Sequence, residues 1–274
     1  PLYELLPRKA YLTARNVWLD LKSIPVRLSG EKPGPLPWLT LHNYGDIDFY
    51  ESGAPMVDAL VGRAGLTPTS TILDIGCGSG RFAWPLTTFL ASEGGYIGFD
   101  VSKPALGFAR KLTTARRPDF VFHHADLFSA EYNPRGAVRA CDYEFPCQDG
   151  WADVIVASSV FTHLLEADAA HFLKEIARCL KPGGRADISA YLVDEEIRKR
   201  MENGEAMLIM QRYEGPVWAG DMATPEAATG YDEDAFLAMI ADAGLTLAQP
   251  IIKGGWSHPP GVAYTQDMLV LQRA

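Results

Sequence analysis

The run Thr71-Ile72-Leu73-Asp74-Ile75-Gly76-Cys77-Gly78-Ser79-Gly80-Arg81 decides the fold. Thr71 to Ile75 is short, apolar and partly β-branched, as a strand buried on both faces requires. Three glycines then alternate with other residues before a helical pattern begins at about Arg81. Glycine permits φ > 0 and leaves bare backbone for a ligand to lie against. The amides that open the following helix point into the same turn. The stretch therefore reads as a first strand, a cofactor loop and a first crossover helix.

The glycine spacing separates two cofactor classes. A dinucleotide loop is G-x-G-x-x-G, whose last glycine lets helix and strand pack closely beside a pyrophosphate. Here the third glycine comes one residue early, at Gly80, and Arg81 stands where the dinucleotide glycine belongs. Asp74 is expected to put a carboxylate at the mouth of the loop, repelling a pyrophosphate and suiting an ammonium or sulfonium. This pattern favours S-adenosylmethionine over NAD.

Working outward, 274 residues suffice for one generous core with additions. The net charge of −9 argues against a nucleic-acid partner, since phosphate binding is dominated by Lys and Arg. Cys77, Cys141, Cys147 and Cys179 show neither C-x-x-C nor zinc spacing. Reduced thiols in a cytoplasmic protein are expected, with no metal cluster legible, no signal peptide and no membrane span. Further strands are expected at Gly95–Asp100, Phe120–Leu127, Trp151–Ser158 and Ala186–Leu192. Asp100 lies roughly 20 residues beyond the glycine loop, where a carboxylate meets ribose hydroxyls. Asp126 closes the third strand on the same rim, within reach of an adenine amino group.

Residues 8–21 place Ala10, Ala14, Val17 and Leu21 on one helical face, for packing on the main domain, on a second subunit or as a lid. A proline-rich connector, Glu31 to Trp38, follows. A helix is expected from Pro55 to Ala64, and Asp232 is expected to cap the last one. Residues 1–52 are thus read as an N-terminal helical and proline-rich extension, and 53–274 as the main domain. Insertions are placed at about 128–150 and 194–230.

Four motifs carry a family resemblance: Leu73 to Arg81, Gly98-Phe99-Asp100, His124-Ala125-Asp126-Leu127, and Arg178-Cys179-Leu180-Lys181-Pro182-Gly183-Gly184. On these the chain resembles class I S-adenosylmethionine-dependent methyltransferases over about residues 50–274. The resemblance implies an α/β fold: a Rossmann-like, seven-stranded, mostly parallel sheet with an antiparallel last strand and helices on both faces. It also implies a cofactor site of Asp74, Gly76, Cys77, Gly78, Gly80, Arg81, Asp100, Val101, Asp126, Leu127 and Ser158, with S-adenosylhomocysteine as product. The segment Ser159 to Leu164, Gly255-Trp256 and Gln266-Asp267 are similar to bacterial methyltransferases of sugar or polysaccharide biosynthesis.

The chain lacks the N-P-P-Y tetrapeptide of enzymes acting on exocyclic nitrogens, and the acid set of metal-dependent catechol enzymes. Both absences point to a hydroxyl on a small molecule or saccharide, with N- or C-methylation or a non-catalytic scaffold as alternatives. A hydroxyl acceptor needs its proton removed, typically by a histidine or carboxylate. His163, directly after the fourth strand, is the expected base, with His258 and Asp194 as weaker candidates. Tyr44, Phe161, Asp194, Trp256 and His258 are the expected acceptor contacts, and a homodimer is the expected assembly if the N-terminal helix meets a second subunit.

Overall fold

The computed structural model describes residues 8–39, 48–259, 261, 263 and 265–273. Its centre is a seven-stranded sheet of β1 (Thr71–Ile75), β2 (Gly95–Asp100), β3 (Val121–His124), β4 (Ala152–Ala157), β5 (Leu180–Ala190), β10 (Leu245–Leu247) and β11 (Asp267–Arg273). The spatial order is β10-β11-β5-β4-β1-β2-β3. β1 to β5 are mutually parallel, and β11 runs antiparallel to both β5 and β10. The order of strand addition reverses between β1 and β4, so their carboxyl ends open a crevice there.

Side chains alternate across each strand, and both faces are buried. Ile72, Tyr96, Val154 and Val156 pack with α2 (Gly53–Ala64), α3 (Ala83–Phe89) and α4 (Lys103–Thr113). Leu73, Ile75, Ile155 and Ile188 pack on the other side with α5 (Glu166–Cys179) and α7 (Glu233–Asp242). Gly65 ends α2 in the left-handed conformation at φ 71°.

Between β5 and α7 lie β6 (Leu192–Val193), α6 (Glu195–Glu202), β7 (Gln211–Arg212), β8 (Val217–Ala219) and β9 (Thr229–Asp232). The four strands make a second sheet in the order β6-β9-β8-β7, over a separate core of Tyr191, Ile197, Met201, Trp218 and Trp256.

Lys181-Pro182-Gly183-Gly184 follows the end of α5 at Cys179 and is the irregular lead-in of β5, where its register against β4 shifts. Two local expectations are corrected. Asp232 precedes α7 without a capping bond, because its carboxylate is engaged by the Arg212 guanidinium and the Trp218 indole N–H. α1 (Arg8–Ser29) runs further than expected, and its faces are reversed. Val17 is 44% exposed and Leu21 60%, while Asn16 and Asp20 are buried. The cause is the connector, whose carbonyls and lone amides need partners. Asn16 Nδ2 donates to the Leu39 carbonyl (3.2 Å), Asp20 Oδ1 accepts from the Leu39 N–H (2.6 Å), and Arg27 donates to the Leu36 and Pro37 carbonyls.

Among the described residues, no helix is long and apolar enough to cross a membrane.

Candidate functional site: a cofactor cleft with a histidine at its far wall

The carboxyl ends of β1, β2 and β4 border a cleft of about 670 Å³. It is lined by Gly76, Gly78, Arg81, Asp100, Val101, Leu127, Ser158 and His163 among the expected residues. The glycine loop has positive φ at Gly76 (70°), Gly78 (53°) and Gly80 (82°), which L side chains rarely adopt. A Cβ on Gly76 would also stand 2.8 Å from Val160 Cγ2. The loop is pinned to β2 because the Gly76 and Cys77 amides donate to the Phe99 carbonyl (2.9 and 3.1 Å).

Asp100 completes that cradle. One carboxylate oxygen accepts from the Gly78 N–H (2.8 Å), the other from the Ser102 N–H (2.7 Å). Burial pushes its carboxyl above the ordinary range, and the two amide donors oppose that rise. Each oxygen keeps a second lone pair, so the group can accept from a vicinal diol. Bare backbone on one side and an anchored acceptor on the other fit the ribose and methionine portions of S-adenosylmethionine.

Four expected cofactor residues stand away from the lining. Asp74 is buried beneath the loop and accepts from the Tyr96 hydroxyl (2.7 Å), rather than opening at the mouth. Desolvation pushes its carboxyl up to about 7. Cys77 is buried against Gly98, and Gly80 lies against Ala109, where an added Cβ would come within 3.0 Å. Asp126 is exposed on the rim and accepts from Asn133 Nδ2 (3.2 Å).

The expected acceptor contacts fare worse. Phe161 is fully buried beside Phe236, and Trp256 is fully buried with its indole N–H on Asp267 (2.9 Å). Asp194 caps α6 and borders a different cleft. His258 meets Arg200 (3.2 Å) in the smaller core region. Tyr44 lies outside the described residues. The sequence placed these four described side chains by chain order, whereas packing assigns them to structural work.

His163 does reach the cleft. It sits in a short turn after β4 whose carbonyls at Phe161 and Leu164 both accept from the buried Tyr231 hydroxyl (2.7 and 2.6 Å). Its Nδ1 lies 2.7 Å from the Glu226 carbonyl, an oxygen that can only accept. Nδ1 therefore carries the proton, and in the neutral ring Nε2 presents its lone pair. The Tyr132 hydroxyl stands 3.1 Å from that Nε2, with the two rings edge to face at 5.0 Å.

Sequence reading missed Tyr132 and Glu226, together with Arg15, Asn16, Asp168 and Gln266, all of which line the cleft. Gln266 had a signal in the Gln266-Asp267 pair, and its Oε1 accepts from the Ser189 and Ser159 hydroxyls (2.6 and 3.1 Å). Burial pushes the Glu226 carboxyl up, while its Oε2 accepts from the Ala130 N–H (2.6 Å).

A doubly wound sheet with a glycine cradle, an aspartate anchored by two amides and a cleft at the switch point is an arrangement suited to a nucleoside-type cofactor. Residues 73–186 match the methyltransferase-domain family. The matched segment runs from β1 into β5 and takes in the glycine loop, Asp100 and His163.

Curated relatives include the 27-O-demethylrifamycin SV methyltransferase of Amycolatopsis mediterranei, 27% identical over 56% of this chain and 51% of its own length. Another is the arsenite methyltransferase of Aquipseudomonas alcaligenes, 26% identical over 50% of this chain and 37% of its own. The chain spans about half or less of the length of these two relatives. The crystal structure of the [4+2]-cyclase SpnF shares the fold at 16% identity, covering 95% of this chain and 96% of that one with a TM-score of 0.54.

Proposed function

We propose that this chain methylates a hydroxyl of a small molecule or saccharide. The observation that carries the reading is His163, held in one tautomer by the Glu226 carbonyl with Nε2 toward the cofactor cleft. A fixed, uncharged imidazole acceptor suits an oxygen nucleophile, whose proton must leave as it attacks.

Bound S-adenosylmethionine would supply an electrophilic methyl on a sulfonium. Asp100 would take the ribose hydroxyls, the Gly76–Gly78 backbone the methionine portion, and Val101 and Leu127 the adenine faces. Ser158 and Arg81 would border it from β4 and from the end of the loop. The remaining work is positional: the cleft must hold the acceptor oxygen about 3 Å from the reacting carbon and keep water out.

The test is a methyl-acceptor screen with labelled methyl donor against hydroxylated metabolites and oligosaccharides. Label on oxygen, lost in the His163→Ala protein, is the expected outcome. Label on nitrogen or carbon would replace the hydroxyl reading. Binding of S-adenosylhomocysteine without transfer to any acceptor would favour a scaffold.

A further inference from the structure

We infer that α1 docks the molecule on a membrane surface, laying its outer apolar stripe into the headgroup layer of an anionic phospholipid bilayer. Four observations carry this.

The first is the stripe. Ala10, Ala14, Val17, Leu21, Ile24 and Leu28 recur at alternating steps of four and three, which sets them along one line of the helix. All six are exposed, and Trp18 beside them is 53% exposed. The second is that α1 is seated through a different face. Asn16, Asp20 and Arg27 hold the connector at Leu36, Pro37 and Leu39, so the stripe is not what fixes the helix to the chain. The third is charge. The chain carries −9 overall, yet α1 holds Arg8, Lys9, Arg15, Lys22 and Arg27 against the single acid Asp20. Arg8, Arg15 and Lys22 recur every seventh residue, a basic row along one flank of the stripe. The remaining chain is acidic and repelled by an anionic surface, so attraction is confined to this helix. The fourth is the pair at the stripe's edge, where Lys22 Nζ lies 3.8 Å over the Trp18 ring. An amphipathic indole with an ammonium beside it suits the headgroup level, where lipid phosphates meet acyl chains.

A second copy of the chain is the other occupant such a line could take, and the flanking positions disfavour it. In paired helices those positions carry complementary charges. Here one flank holds Trp18 and Pro25, and the other holds Asp20 and Arg27, which already bond the connector and each other. Pairing would also bring together two helices of the same net charge. An anionic bilayer answers both the apolar line and the basic row. Because α1 also carries Arg15 and Asn16 on the cleft wall, docking would hold the cleft beside the headgroup layer.

The test is sedimentation of the full chain with vesicles of phosphatidylcholine, alone or with about 30% phosphatidylglycerol. The native chain is expected to bind the anionic vesicles about 10-fold more tightly than the neutral ones, an advantage that high salt removes. Leu21→Glu with Leu28→Glu is expected to weaken binding by about 10-fold or more. Its thermal midpoint without vesicles should stay unchanged, which separates lost docking from lost fold. Leu21→Ser with Leu28→Ser adds no charge and should weaken binding as well. Lys22→Glu should weaken binding several-fold on anionic vesicles and leave neutral ones unaffected. Indole emission is expected to shift to the blue on binding, and Trp18→Phe to remove that shift.

No sedimentation with either vesicle, or binding that the glutamates leave intact, would overturn the inference. Equal binding to the two vesicle types would overturn it too, since the basic row would then be idle. A native chain that is dimeric by light scattering, monomeric with the two glutamates and indifferent to vesicles would give the stripe to a second copy instead. None of these readouts uses turnover, so the hydroxyl reading stands or falls apart from them.

Discussion

Asp74 and Asp100 stand at the ends of neighbouring strands and were both read as cofactor acids, yet geometry separates them, since Asp100 lines the cleft and Asp74 is buried below it. In the proposed role Asp100 acts as an anion, because both its oxygens already accept from backbone amides and would accept again from ribose hydroxyls. Asp100→Ala removes charge-assisted bonds worth about 1.5–3 kcal/mol each. S-adenosylhomocysteine Kd, measured by calorimetry, is expected to rise about 100-fold. Asp74 behaves in the opposite sense. Its folded-state pKa of about 7 lies above the ordinary 3.8, so its stabilising share is complete below about pH 4 and is lost as pH rises through 7. At about 1.4 kcal/mol per pH unit, that share is at most about 4 kcal/mol. The urea midpoint of the cofactor-free chain is expected to fall between about pH 4 and 7, and Asp74→Asn is expected to flatten that fall. An unchanged slope would mean that Asp74 is ionised in the native state throughout. The sequence identified both aspartates as strand-end acids, but alternation along a strand does not say which carboxylate escapes burial. Tyr96, whose hydroxyl donates to Asp74, lies on the adjacent strand and carries no motif.

At the level of elements, the sheet and its glycine loop were legible because their signals are local. Short apolar β-branched runs, closing acids and a three-glycine turn all fall within single short segments. The wall opposite was not legible. Tyr132 and Glu226 lie 31 and 63 residues from His163, on a turn and an insertion whose contact exists only once β3, β4 and β9 are in place. The same limit explains Trp256, which reads as an exposed aromatic loop residue until its partner is known. Asp267, at the start of β11, accepts from the Gly254 N–H (2.7 Å), the Leu192 N–H (2.9 Å) and the Trp256 indole (2.9 Å). It is fully buried, and that burial pushes its carboxyl up. One side chain thus ties the last strand of the main sheet to the first strand of the smaller one. Asp267→Ala strands three buried donors at about 1–3 kcal/mol each. A loss of about 3 kcal/mol or more in urea unfolding is expected, with Asp267→Asn intermediate because its amide oxygen still accepts. A loss below 1 kcal/mol would show that water replaces the carboxylate there.

Over the whole molecule, α1 is the element whose relation to the rest most departs from its pattern. Apolar periodicity ordinarily marks the buried face of a helix, yet here Leu21 and Leu28 are 60% and 81% exposed. The inward face is polar because what it meets is the backbone of a proline-rich connector, rich in carbonyls and poor in N–H groups. Asp20 is central to that contact: it accepts from the Leu39 amide and pairs with Arg27 (3.5 Å), which itself lies over the Trp38 ring (3.7 Å). The connector is in turn held to the domain by the Tyr50 hydroxyl on the Pro35 carbonyl (2.6 Å). Through this chain of polar contacts α1 brings Arg15 and Asn16 to the wall of the cofactor cleft. Two variants separate the faces. Asp20→Ala removes the acceptor of the Leu39 amide and the counter-ion of Arg27, so α1 is expected to be cleaved several-fold faster in limited proteolysis. The thermal midpoint of the domain should move little, because the sheet's core does not include α1. Leu21→Glu with Leu28→Glu should alter neither cleavage nor midpoint, since surface changes away from packing stay within about 0.5 kcal/mol. Destabilisation by the glutamates, with Asp20→Ala silent, would mean that α1 packs through its apolar stripe in solution and reaches the cleft by another route.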